Sequence, residues 1–145
     1  MTELPFKRLD PDASLPERAH PGDAGLDLRS VMDFDVKPGE RVMVRTGLAV
    51  AIPEGRAGLV LPRSGLAARH GLTLSNAPGL IDAGYRGEVV CAVVNLDPEE
   101  TVSIAKGDRI AQLVIVEVPD VSPTWVDELP ESSRGQGGFG STGRS

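Results

Sequence analysis

At 145 residues the chain fits one domain, long enough to bury most of the surface its unfolded form exposes. Aromatics make up only 3%, so the core must be aliphatic, and 17 glycines with 12 prolines point to many turns and short strands rather than long helices. The formal charge of −6 argues against a general nucleic-acid binder, which needs a basic face, but leaves room for a small anionic ligand held by a few arginines.

In chain order, the opening MTELPFKRLDPD holds no apolar stretch that could act as a signal peptide, and no segment is long enough to span a bilayer. A short strand is expected around Phe34 and Val36, followed by a turn at KPGE, residues 37–40. Residues 41–52 put Val42, Val44, Leu48, Val50 and Ile52 on one parity, which reads as a half-buried strand or a strand pair broken near Gly47. SGLAARHG carries the one helix signal, from Ser64 to a C-terminal stop at Gly71. VVCAVVNL, residues 89–96, is apolar without alternation and predicts a strand buried on both faces. RIAQLVIVEV, residues 109–118, predicts another, with turns at DPEE and AKGD between them. Cys91 is the only cysteine, so no disulfide forms within one chain and a reducing cytoplasm is the expected home. After Val118 periodicity stops and the chain turns Pro- and then Gly-rich. The expected architecture is all-β, a barrel or double-sheet roll over residues 1–118, with one short helix and a mobile arm over 119–145.

Five segments concentrate Gly, Asp, Arg and Ser in loops between the strands: HPGDAGLDL (20–28), PRSGLA (62–67), NAPGLIDAGYRGE (76–88), GDRIAQL (107–113) and RGQGGFGSTG (134–143). Each has a bland alternative. Ser64 at a helix start can be an N-cap beside a surface Arg63, or part of an anion site built on unpaired N–H groups and the Arg fork. Asp82, in the expected hairpin turn, can accept local backbone bonds or act as a general base. Asp23 and Asp27 can bind a metal through oxygen or serve the loop. Gln112 can be an ordinary solvent-facing strand residue, and Tyr85 an ordinary buried aromatic. His20 and His70 lack any partner spacing for a metal or a nucleophilic triad.

Together, in this order and spacing, the five segments closely resemble the motifs of the trimeric dUTPase family, from about residue 20 to 143. The resemblance implies a jelly-roll homotrimer with shared active sites that hydrolyses dUTP to dUMP and pyrophosphate with Mg²⁺, limiting dUTP and supplying dUMP for thymidylate synthesis. No nucleic-acid or membrane partner is expected. It implies that Asp82 orients and deprotonates the water attacking the α-phosphorus, and that Ser64 and Gln112 act beside it. Arg63, Ser64 and Gly65 contact the triphosphate. Asn76, Gly79 and Ile81 belong to the uracil-reading hairpin, and Tyr85 lies beneath the deoxyribose. The resemblance also implies that Asp27 holds the water shell of a Mg²⁺ bound mainly by substrate phosphates; Asp23 is read from its loop as a structural cap. In the arm, Arg134, Gly137, Gly138, Ser141 and Thr142 approach the phosphates and Phe139 the base. Two other readings are weaker. A dCTP deaminase shares this fold but carries a Glu base on the strand after the hairpin, where this chain has Ala92. A non-catalytic regulatory relative should have lost Asp82 or part of the arm, and this chain has lost neither.

Overall fold

Glycine, proline and aspartate interrupt the apolar stretches every few residues, so the chain folds into short strands. The computed structural model describes residues 2–140. In chain order β1 is Phe6–Arg8, β2 Leu26–Arg29, β3 Phe34–Val36, β4 Arg41–Arg45, β5 Leu48–Val50 and β6 Arg56–Leu61. The helix α1, Ser64–His70, follows, then β7 Leu72–Leu74, β8 Gly79–Ile81, β9 Val90–Asn95, β10 Val102–Ile104 and β11 Arg109–Glu117. All pairings are antiparallel. Four strands order β2-β11-β6-β8, three order β4-β9-β7, and β1-β5 and β3-β10 form two-stranded sheets.

The sheets enclose one aliphatic core that includes Leu28, Val36, Val44, Val50, Val93 and Leu113, all essentially inaccessible to water. No aromatic belongs to the buried cluster; Phe6 and Phe34 pack only at its margin. The all-β expectation holds as a jelly-roll-like arrangement of antiparallel sheets. Among the described residues they do not close into a continuous barrel.

Residues 41–52 do split at Gly47, whose φ of +68° is a left-handed conformation that glycine adopts without strain. The two halves then join different sheets, β4 with β9 and β5 with β1. The helix ends where expected, with Gly71 in the left-handed conformation at its C-cap.

Three expectations need correction. Residues 89–96 are not buried on both faces within the chain: Cys91, Val93 and Asn95 point inward, while Val90 is 38% exposed and its outward neighbour Met43 is 62% exposed. The unbroken apolar run therefore marks an outer face as well as a core face. Residues 76–88 do not form a hairpin, because β8 pairs with β6 and β9 with β4 and β7. Backbone bonds from Thr46 N–H to Val89 O and from Val89 N–H to Leu48 O draw the chain across to the other sheet. The segment 20–28 is not all loop, since Leu26 begins β2. Its signal is the alternation Leu26-Asp27-Leu28-Arg29, in which Leu28 is buried and Arg29 exposed.

A register shift between Arg109 and Ala111 has a consequence for the site. Ile110 and Ala111 are consecutive, yet both are buried. The irregularity resets the period of two, so Arg109 and Gln112, three apart, both escape the core beside Asp27.

Candidate functional site

Two recesses collect the residues singled out in the first four segments, from Asp23 to Gln112, and none of the arm. The first, about 240 Å³, is bounded by β8, the loop that follows it and the start of β9; Asn76, Gly79, Ile81, Asp82, Tyr85, Glu88 and Cys91 line it. β8 is the last strand of its sheet, so its second edge has no strand partner among the described residues. Its free N–H and C=O groups are available to a planar polar ligand. Asn76 closes one end, packed so near Gly79 that a Cβ there would lie 3.2 Å from its Nδ2. Asp82 stands exposed at the rim, where the turn closes through Tyr85 N–H to Asp82 O at 3.1 Å. Arg86 braces this turn, donating through Nη1 to Ala83 O at 2.6 Å. Cys91 is 2% exposed, and burial pushes its thiol up to about 12, so it stays protonated and takes no part as a nucleophile.

The second recess, about 310 Å³, is lined by Asp23, Gly25, Asp27, Arg63, Ser64, Gly65 and Gln112. Pro62 ends β6 and throws Arg63 and Ser64 into the start of α1. The N-cap position falls on Arg63, with no side-chain capping bond, so the hydroxyl of Ser64 is not spent as a cap. Gln112 donates through Nε2 to Pro62 O at 3.0 Å, which ties the β11 face to the start of the helix. Gly25 sits against Gln112 so closely that any Cβ would run into its amide, fixing the side chain from the other side. Asp27, only 14% exposed, lies between two guanidiniums: Arg63 Nε at 3.7 Å from Oδ1 and Arg109 Nη1 at 3.3 Å from Oδ2. Its first effect in the structure is thus to hold Arg63 over the recess. Asp23 accepts the His20 N–H at 2.9 Å and caps its loop.

One chain does not bring the two recesses together. Gln112 pairs with Leu61 on β6, whereas Ile81 on the far side of β6 pairs with Gly58. Three residues along a strand and two strand spacings across give roughly 14 Å between Gln112 and Ile81, with Asp82 one residue further on. The arm is separate again. Beyond the bond from Val118 N–H to Gly55 O at its root, the hydrogen bonds of the arm's described residues are internal, such as Arg134 Nε to Gly137 O at 2.6 Å. Arg134, Gly138 and Phe139 are exposed and Gly137 partly so. Ser141 and Thr142 lie outside the described residues.

Sequence reasoning passed over Arg109, Gly25 and Glu88. Arg109 and Gln112 share a face only because of the strand irregularity, which no periodicity announces. The need for glycine at 25 appears only when Gln112 is packed against it. Glu88 was visible within the third segment but had no feature to separate it from a surface carboxylate. Among the described residues no group of three or more His, Cys, Asp or Glu side chains is placed to hold a metal ion by itself.

A family model described as dUTPase matches residues 11–143. The deoxyuridine 5'-triphosphate nucleotidohydrolase of Thermobifida fusca is 59% identical over 138 residues, covering 95% of this chain and 77% of that protein. That of Mycobacterium leprae is 56% identical over 147 residues, covering 98% and 96%. In three dimensions the chain is similar to the Staphylococcus bacteriophage 80alpha dUTPase with dUPNHPP, at a TM-score of 0.91 and 34% identity over 99% of this chain and 100% of that one. It is also similar to a mutant dUTPase from phage phi11 of S. aureus that coordinates a structural Mg(II) ion. There the TM-score is 0.81 at 31% identity, over 88% and 98%.

Proposed function

The chain belongs to the dUTPase family, and from that membership we propose that it hydrolyses dUTP to dUMP and pyrophosphate by in-line attack of water on the α-phosphorus. The observation that carries the reading is Asp82 at the rim of a narrow recess edged by free strand backbone. Uracil enters that recess and is read by the N–H and C=O groups of Gly79–Ile81 with Asn76. A site built on hydrogen bonds penalises a wrong base strongly, on the order of 10⁴-fold. Tyr85 lies beneath the sugar and excludes a 2′-hydroxyl by contact. Asp82, beside the 5′ end, takes the proton of the attacking water. Arg63, Ser64, Gly65 and Gln112 hold the triphosphate and stabilise the charge that develops on it.

The roughly 14 Å from Gln112 to Ile81, with Asp82 beyond it, supports a site completed by a second subunit, whose phosphate recess faces the uracil recess of the first. The apolar outer strip of Met43, Val90, Ala92 and Val94 supports the homotrimer, because burying it between copies removes it from water. Arg134, Gly137, Gly138, Phe139, Ser141 and Thr142 of the arm, residues 119–145, close over the assembled site and exclude water. The donor set fits a Mg²⁺ bound chiefly by the substrate's own oxygens. Of the two carboxylates lining the phosphate recess, Asp23 is engaged by the His20 N–H, and Asp27 has both oxygens facing arginines and would reach such an ion only through the ion's waters. When bound, the ion neutralises charge on the phosphates. The reaction takes place in the cytoplasm without nucleic acid or membrane as partner; no helix among the described residues is long and apolar enough to cross a bilayer.

A pyrophosphatase-coupled phosphate assay over all deoxy- and ribonucleoside triphosphates with Mg²⁺ tests the proposal. Turnover confined to dUTP is expected. Comparable turnover of dTTP, dCTP or UTP, or ammonia release from dCTP, contradicts it. Sedimentation at micromolar concentration should give three chains per particle.

A further inference from the structure

Glu88 lines the uracil recess, yet the chemistry above gives it no task. Its side chain is 20% exposed, and Arg45 Nε lies 3.2 Å from each carboxylate oxygen. Oε2 also accepts the Gly47 N–H at 3.0 Å. Neither partner is free to wander. Arg45 is held from its other end by Asp10, 3.6 Å from Nη1, and Gly47 is wedged so tightly that a Cβ would meet Asp10, Ala13 and Val31. The next residue is stitched down as well, with Thr46 Oγ1 donating to Val89 O at 2.6 Å. Glu88 is therefore a fixed point on the core wall.

Tyr85 hangs from that point. Its hydroxyl donates to the Glu88 carbonyl at 2.9 Å, and its ring folds back over Gly87, where a Cβ would strike the hydroxyl and the ring carbons beside it. Gly87 has no positive φ, so glycine is required there for space and not for backbone conformation. A ring that is 46% exposed has little packing of its own to choose among its staggered rotamers. The tether to Glu88 makes that choice.

We propose that Glu88, held by Arg45 and the Gly47 amide, is a positioning residue that fixes the tilt of the Tyr85 ring and thereby sets how strictly the site rejects a 2′-hydroxyl. This rests on the reading of Tyr85 as the surface beneath the sugar. Exclusion by contact works only with a wall that stays in place, since a ring free to tilt makes room for one more oxygen.

The experiment is steady-state kinetics with dUTP and UTP on the full chain and on Tyr85→Ala, Glu88→Ala, Glu88→Gln, Glu88→Asp and Gly87→Ala, with Tm measured for each. Glu88→Ala and Gly87→Ala should lower the ratio of kcat/KM for dUTP over UTP by about tenfold, through a lower KM for UTP, while kcat for dUTP stays within about threefold. Glu88→Gln keeps one acceptor oxygen, which in the place of Oε2 still reaches both Arg45 Nε and the Gly47 N–H, and should retain most of the discrimination. Glu88→Asp pulls the anchor back by one methylene, should fall between, and carries the test if Glu88→Ala does not fold. An unchanged ratio in Glu88→Ala or Glu88→Asp, or equal losses on both nucleotides, overturns the role of Glu88. An unchanged ratio in Tyr85→Ala overturns the reading of Tyr85 itself, which is a separate failure.

Discussion

Asp82 and Cys91 line the same recess and are opposite in character. Asp82 sits at the solvent rim, where its carboxylate can meet a water; Cys91 is sealed in the aliphatic floor. Asp82→Asn keeps the shape and one acceptor oxygen of the side chain but not its basicity. It should bind the non-hydrolysable analogue dUPNHPP with near-native affinity while kcat falls by at least about 10²-fold. Calorimetric titration with a turnover assay checks this, and a mutant with native kcat removes Asp82 from the role of base. For Cys91, a chromogenic thiol reagent should titrate no sulfhydryl in the native protein at neutral pH and one per chain in denaturant. Its folded pKa is raised from 9.0 to about 12, so the stability carried by the neutral thiol is complete below about pH 9 and is lost as pH climbs toward 12.

At the scale of elements, the functional groups sit where regular structure breaks. The irregularity in β11 turns Arg109 and Gln112 to the same side, the end of β6 at Pro62 launches Arg63, and the free edge of β8 supplies backbone for a base. Gly71 ends α1 at a φ of +68° with its Cα side pressed on Asp97, whose N would lie 2.8 Å from an added Cβ. Gly71→Ala combines a left-handed backbone penalty with that contact and should cost about 1–2 kcal/mol, or about 3–8 °C in Tm. Thermal melting monitored by circular dichroism decides it; an unchanged Tm shows that the loop at Asp97 yields. The helix was legible in the sequence because a short apolar pattern bounded by Pro62 and Gly71 is a local signal. The pairing of β8 was not, because three residues cannot specify a partner, and the bonds of Thr46 and Val89 that divert the chain join residues more than forty positions apart.

For the whole molecule, the separation of the two recesses makes a lone chain an incomplete enzyme in the proposed scheme, and the arm a third contribution. Deleting residues 134–145 removes Arg134 and Phe139 but none of the buried cluster. The truncated chain should keep its circular dichroism spectrum and sedimentation coefficient while turnover of dUTP drops more than about tenfold. Full activity in that variant contradicts a closing role for the arm.

The sequence by itself determined an all-β fold with an aliphatic core, one short helix and five chemically loaded segments. These follow from composition and local order: too few aromatics for any other core, and glycines and prolines too frequent for long elements. Only the tertiary structure decided that Gln112 and Arg109 share a face, that Gly25 must lack a side chain, that Glu88 anchors Tyr85, and that Asp82 stands apart from Ser64 and Gln112 within one chain. Each depends on register or contact between residues distant in sequence. Such relations arise when strands pair and side chains compete for the same space, and no local pattern of residue types encodes them.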